Sequence, residues 1–192
     1  LKISEENSIL EIGTKFNNTF QDLFPDFKKI TLFDHWIYRE NENNIKEQEK
    51  LIENKKFDYI VFNFSLEQMI NPYEKLKYFV ENNLSENGKV LIFIKNPQFV
   101  GNILNFLSKS WSNISNGYKN QDNYNLISIN ELKNEISIKL NLSLVQKNLK
   151  EDVTPYADFY NKFLPVLSSK LNLNEFINNS DISNYVFIAG KK

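Results

Sequence analysis

The sequence predicts an α/β fold built on a mostly parallel sheet, and three observations carry that prediction. Short apolar runs of the kind found in buried strands recur at residues 8–12, 30–33, 57–62, 89–94 and 185–189. Helical apolar spacing separates them, as at Phe16, Phe20, Leu23, Phe24 and Phe27. The strand, helix, strand order at the start of the chain requires a crossover connection, which is right-handed in almost all known sheets.

The elements follow in order. Residues 8–12 form a first strand ending at Gly13, and the Phe-rich helix after it stops near Pro25. Residues 30–33 form a second strand closed by Asp34. The charged segment 40–56 has few apolar positions, Ile45, Leu51 and Ile52 among them, and reads as one surface helix. FDYIVF at 57–62 is the central strand, because a near-continuous apolar run suits a strand covered on both faces.

Asn71, Pro72 and Glu74 then read as N-cap, first helical residue and third helical residue, with Leu76, Phe79, Val80 and Leu84 as the buried stripe. Residues 86–88 predict a turn before the strand KVLIFI at 89–94, and Val100, Ile103, Leu104, Leu107 and Trp111 line the next helix. The polar stretch 112–125 reads as a surface excursion. Ser128 and Glu131 have capping-box spacing, Leu140, Leu142 and Leu144 alternate as in a strand, and Thr154-Pro155 opens an aromatic-rich helix with Pro165 as a candidate break. Residues 185–189 (YVFIA) close the sheet.

Composition bounds the function. A chain of 192 residues suits one domain, and Gly and Pro at 5 each leave little room for long linkers. Its 23 basic and 24 acidic residues nearly cancel, so nothing draws it to a phosphate backbone and nucleic acid is excluded as a first partner. No apolar run approaches the roughly 18 residues of a membrane span. The absence of Cys excludes disulfides, thiolate metal sites and a cysteine nucleophile, and a single His excludes a histidine metal cluster. With no signal peptide the expected location is cytoplasmic, and a chain beginning with Leu1 is expected to be part of a longer protein.

Three segments carry a family resemblance. SILEIG at 8–13 is similar to the first strand of class I S-adenosylmethionine (SAM) methyltransferases. FDYIVFNFSLEQMINPYEKL at 57–76 resembles their fourth strand and its continuation in small-molecule methyltransferases, particularly those associated with glycosyltransferases. NGKVLIFIKNP, with the helix ending at Trp111, resembles the fifth strand and following helix.

The resemblance implies a doubly wound, Rossmann-like sheet of seven strands flanked by helices, with SAM across the carboxyl ends of the strands. Gly13 and Thr14 would belong to the cofactor loop, which Glu11 helps to hold. Asp34 would accept hydrogen bonds from the ribose hydroxyls, and Asn63, Phe64 and Ser65 would lie near the sulfonium. The acceptor would be a small molecule or a glycan.

The chain departs from that pattern on one rim. The family loop reads E-x-G-x-G-x-G, whereas this frame reads Glu11, Gly13, Lys15 and Asn17, so two of three glycines are replaced. Only 22 residues separate Asp34 from Phe57, too few for the usual helix and third strand, so that strand is expected to be missing or vestigial. Gln68 stands where the family has His.

Two readings follow: a methyltransferase, or a non-catalytic domain keeping the fold to bind a protein partner or a covalently linked domain. No catalytic base is assigned. Glu67 at a bend is more often structural than basic, His35 has no assignable carboxylate partner, and Tyr156, Phe159, Tyr160 and Phe163 read as core packing before they read as an acceptor lid.

Overall fold

The computed structural model describes residues 3–13, 25–34, 42–101, 104, 127–168 and 179–191. Six strands form one sheet: β1 (Ile9–Gly13), β2 (Ile30–Asp34), β3 (Phe57–Asn63), β4 (Leu84–Lys95), β5 (Leu142–Lys150) and β6 (Ile182–Lys191). Their order is β2-β1-β3-β4-β6-β5. β1 pairs in parallel with both β2 and β3, and β3 pairs in parallel with β4. This is the doubly wound α/β architecture expected from the sequence. Between Asp34 and Phe57 the described residues hold a helix, α1 (Glu42–Ile52), and no strand.

β3 is central, as its apolar run predicts, with Ile60, Val61 and Phe62 buried. Helix α2 (Pro72–Asn83) turns Leu76, Phe79 and Val80 inward. Phe79 meets Phe33 edge-on at 5.1 Å and Phe62 at 5.9 Å, so one helix residue joins side chains of β2 and β3.

Four details differ from the sequence reading. First, the last strand does not close the sheet but lies between β4 and β5. A Cβ on Gly190 would stand 3.5 Å from Lys89 Cγ, and Asn96 N–H donates to the Ser183 carbonyl at 2.8 Å, so β6 runs against β4. Ser143 bonds to the Gly190 carbonyl and Ser183 to the Leu149 carbonyl, so β6 also runs against β5. The physical reason is composition: the buried run around Tyr185, Val186 and Phe187 needs cover on both faces, whereas β5 exposes Val145, Lys147, Leu149 and Lys150 and suits an edge.

Second, residues 86–88 are not a separate turn. β4 already begins at Leu84, which pairs with Phe57, and the register then shifts so that Lys89 opposes Tyr59. The extra residues bulge outward, exposing Glu86 and Asn87, while a Cβ on Gly88 would stand 2.7 Å from Leu84 Cδ1.

Third, Asn71 caps α2 through left-handed backbone (φ 54°) and makes no side-chain cap bond. Fourth, the helical run from Thr154 continues through Pro165 into α4 (Leu164–Ser168). It widens to a π-helical turn over Phe159–Phe163, where Leu164 N–H bonds to the Phe159 carbonyl. Widening removes the demand for the N–H that Pro165 lacks and the clash of its ring with the preceding turn. At α3 (Ile129–Asn134), by contrast, the Ser128 side chain accepts from Glu131 N–H as the capping spacing predicts.

The chain divides into two compact units, Leu1–Ile94 with Asn125–Gln146 and Val186–Lys192, and Lys95–Tyr124 with Lys147–Tyr185. The first contains β1 to β3 and β4 as far as Ile94. The second has its own core, in which Phe99, Val100, Phe159 and Leu164 pack together.

Candidate functional site

Parallel pairing from β2 through β1 to β3 brings three strand ends to one edge. Gly13 stands opposite Asp34 in the ladder, and Ile12 opposite Phe62, so Asn63 continues the same row one residue on. Gly13, Asp34 and Asn63, all chosen from sequence, therefore share the carboxyl edge of the sheet. Thr14, Lys15, Asn17 and His35 lie outside the described residues.

Glu11 organises this edge from below. It is fully buried, and Asn63 Nδ2 donates to its Oε1 at 3.1 Å. The bond ties β1 to β3 and gives a buried carboxylate a fixed donor. A Cβ on Gly13 would lie 3.9 Å from Asn63 Cβ and 3.9 Å from Glu11 Oε1. That is ordinary contact, so among the described residues a methyl group would fit at Gly13.

Past β3 the chain changes direction sharply. Phe64 adopts left-handed backbone (φ 52°), costly for an aromatic residue, and its N–H donates to the Phe93 carbonyl at 3.2 Å. Ser65 follows, fully buried, with its Oγ lacking a hydrogen-bond partner among the described residues. A short 3₁₀ turn, Leu66–Gln68, is held by Gln68 N–H bonding to the Ser65 carbonyl at 3.0 Å. Glu67 is fully buried in that turn, consistent with a structural carboxylate at the bend.

In the second unit, Phe99 and Tyr156 meet edge-on at 5.9 Å, and Phe159 and Tyr160 do the same. Tyr160 Oη donates to Ser180 Oγ at 2.8 Å. A Cβ on Gly101 would come within 2.7 Å of Phe99, so this glycine lets the rings close in. These contacts match the packing reading for Tyr156, Phe159 and Tyr160; the Phe163 side chain and Trp111 lie outside what is described.

Sequence reasoning missed one feature near the start of α2. Asn71, Tyr73, Glu74, Glu131, Glu135 and Lys139 line a cleft of about 470 Å³. Tyr73 Oη donates to Glu131 Oε2 at 3.3 Å. Burial, with Glu131 and Glu135 beside it, pushes the Tyr73 phenol up to about 12. Glu74 and Glu131 both carried helix-start signals, which account for their positions but not for their lining one cleft.

No protein-family model matches the chain, and no curated protein matches it either. Solved structures do. A SAM-dependent methyltransferase from Archaeoglobus fulgidus is 15% identical with a TM-score of 0.59, covering 96% of this chain and 86% of that one. The plantazolicin methyltransferase BpumL, in complex with SAH (S-adenosylhomocysteine), is 17% identical with a TM-score of 0.52 over 97% of this chain and 76% of its own. The plantazolicin methyltransferase BamL, in complex with a triazolic desmethylPZN analog and SAH, is 18% identical with a TM-score of 0.53 over 96% and 77%. Likeness at this level of identity concerns the fold: the chain has the fold of the SAM-dependent methyltransferases.

Proposed function

We propose that this chain binds SAM at the carboxyl edge of β1, β2 and β3 and transfers its methyl group to a small-molecule or glycan acceptor. One observation carries the reading: Gly13 and Asp34 are ladder partners at the ends of adjacent parallel strands. A strand-end residue without Cβ admits a ligand close to the backbone, and a carboxylate beside it accepts from a diol.

The residues present fit the cofactor. Among the described residues, Gly13 leaves a methyl-sized space beside Glu11 and Asn63, and Ser65 holds a buried hydroxyl without a partner. Bound SAM supplies an electrophilic methyl group on a sulfonium. The chain's own work would then be positioning: Asp34 would orient the ribose, Gly13 and, from the sequence, Thr14 would belong to the loop, and Phe64 and Ser65 would shape the reacting end. Glu11 fixes Asn63 at that end. Positioning of this kind supplies much of the rate in a direct transfer. Proton removal from a hydroxyl acceptor would need a base, and the fully buried Glu67 is placed to support the turn instead.

A second reading, a domain that keeps the fold without catalysis, rests on Lys15 and Asn17 in place of loop glycines. Thermal unfolding with millimolar SAM or SAH separates the two. A ligand that binds only the folded protein raises the melting temperature by mass action. A rise with either compound supports the cofactor site; no rise with both leaves the non-catalytic reading standing.

A further inference from the structure

The row of strand ends at the carboxyl edge continues past Asn63. Asn63 pairs with Phe93 in the β3–β4 ladder, so Asp34, Gly13, Asn63 and Phe93 follow one another across β2, β1, β3 and β4. The row carries a carboxylate at one end and a phenyl ring at the other, three strand spacings or roughly 14 Å apart.

A second ring lies on the first. The Phe64 and Phe93 ring centroids are 6.1 Å apart with the planes tilted by 49°, and both residues are half-buried. Phe93 packs its inner side against Ile9, Tyr59, Val61 and Leu91, which gives the pair a rigid base. The Phe64 N–H donates to the Phe93 carbonyl at 3.2 Å, so Phe93 holds both the backbone and the ring of its neighbour.

Packing alone does not account for an aromatic residue at this position. The left-handed backbone of Phe64 (φ 52°) is one that glycine adopts freely and a residue with a bulky side chain does not. Part of the ring is also left exposed, so the turn keeps a strained residue without burying it fully. Strain of this kind, retained beside a candidate site, gives the side chain a role in contact with a ligand.

We propose that Phe64 and Phe93 form the acceptor end of the site and select a flat aromatic or heteroaromatic molecule over a glycan. The inference rests on the cofactor reading above, in which the Asp34 end of the row holds the ribose and leaves the aromatic end to the acceptor. Two phenyl rings offer apolar faces and edges, which suit offset or edge-on contact with another ring. They offer no hydrogen-bonding group, and the next side chain in the row, Asn63, already donates to Glu11. A sugar would bring several hydroxyls to that surface and lose their water without replacement.

The test is a titration of protein labelled with ¹³C-phenylalanine, following the ring signals of Phe64 and Phe93, with indole as probe and methyl glucoside as control. Saturable shifts at both rings with indole, none with methyl glucoside, and indole binding weakened at least several-fold in Phe64→Leu support the proposal. Phe64→Gly separates ligand contact from packing: it should melt no lower than wild type, because glycine removes the strain, and should lose indole binding. Indole that shifts neither ring, an equal response to methyl glucoside, unchanged indole affinity in Phe64→Leu, or a Phe64→Gly protein that melts well below wild type overturns it. Calorimetry with SAH on the same wild-type protein tells the two readings apart. SAH binding without an indole response overturns the acceptor inference alone, whereas indole binding without SAH binding overturns the cofactor reading and the acceptor role with it.

Discussion

Asn63 Nδ2 donates a 3.1 Å hydrogen bond to Glu11 Oε1, linking the ends of two parallel strands through a carboxylate that no solvent reaches. Glu11 is thereby a scaffold residue of the candidate site, and Asn63 is held in the row that also contains Gly13 and Asp34. Replacing Asn63 by Ala removes one donor from a buried carboxylate, which costs about 1–3 kcal/mol. Denaturant unfolding should show that loss for Asn63→Ala, and a smaller one for the paired change Glu11→Gln with Asn63→Ala, because the uncharged amide tolerates a missing partner better.

Phe79 is the packing counterpart of that polar link. It is fully buried and touches Phe33 and Phe62 edge-on. Phe79→Ala is expected to cost about 3–5 kcal/mol, as truncations of buried aromatic residues do. Phe79→Leu, which keeps most of the volume, should recover more than half of that loss in the same unfolding measurement.

At the amino end of the sheet, Asp58 accepts from Ser8 N–H at 2.9 Å and from Ser8 Oγ at 3.1 Å. The Ser8 backbone N–H is the main cause holding the Asp58 carboxyl below its ordinary range; burial, next in size, opposes it, and the Ser8 and Asn7 side chains and Lys29 add smaller lowering effects. A carboxyl depressed in the folded state stabilises the protein above its unfolded value, near 3.9, and that contribution fades as pH falls through the lower folded value. Melting temperature measured down through the acid range should therefore fall less steeply in Asp58→Asn than in wild type, with the variant already less stable at neutral pH.

Lys15 bears on ligand choice. On the proposed reading Lys15 belongs to the cofactor loop, where its ammonium would repel a sulfonium but not the uncharged thioether of SAH. Wild-type protein should bind SAH more tightly than SAM, and Lys15→Gly should strengthen SAM binding more than SAH binding. Equal gains for both ligands in calorimetry would assign the effect to loop shape rather than charge.

Strand identity was legible wherever apolar runs were long. FDYIVF at 57–62 announced a central strand and is one, because burial on both faces leaves no polar alternation to misread. The position of β6 was less legible: YVFIA carries the signal of burial but none for which neighbours it joins, and only the exposed pattern of β5 hinted at the edge. Helix starts were legible as spacing, yet the side-chain geometry diverged. Asn71 relies on left-handed backbone rather than a cap bond, and Glu131 bonds to Tyr73 across a cleft instead of turning back to its own cap. At the candidate site, Gly13, Asp34 and Asn63 were legible because strand ends in a parallel sheet share an edge. The Glu11–Asn63 bond and the burial of the Ser65 Oγ depend on tertiary register, which no local pattern encodes.

The most direct test of the account is calorimetric titration of SAH into wild-type protein and into Asp34→Ala. A cofactor site at this edge predicts saturable one-to-one binding to the wild type and at least a tenfold weaker affinity in the variant, about 1.4 kcal/mol, for the loss of a carboxylate that would accept from the ribose. Absence of heat from the wild type, or the same affinity in Asp34→Ala, would contradict it.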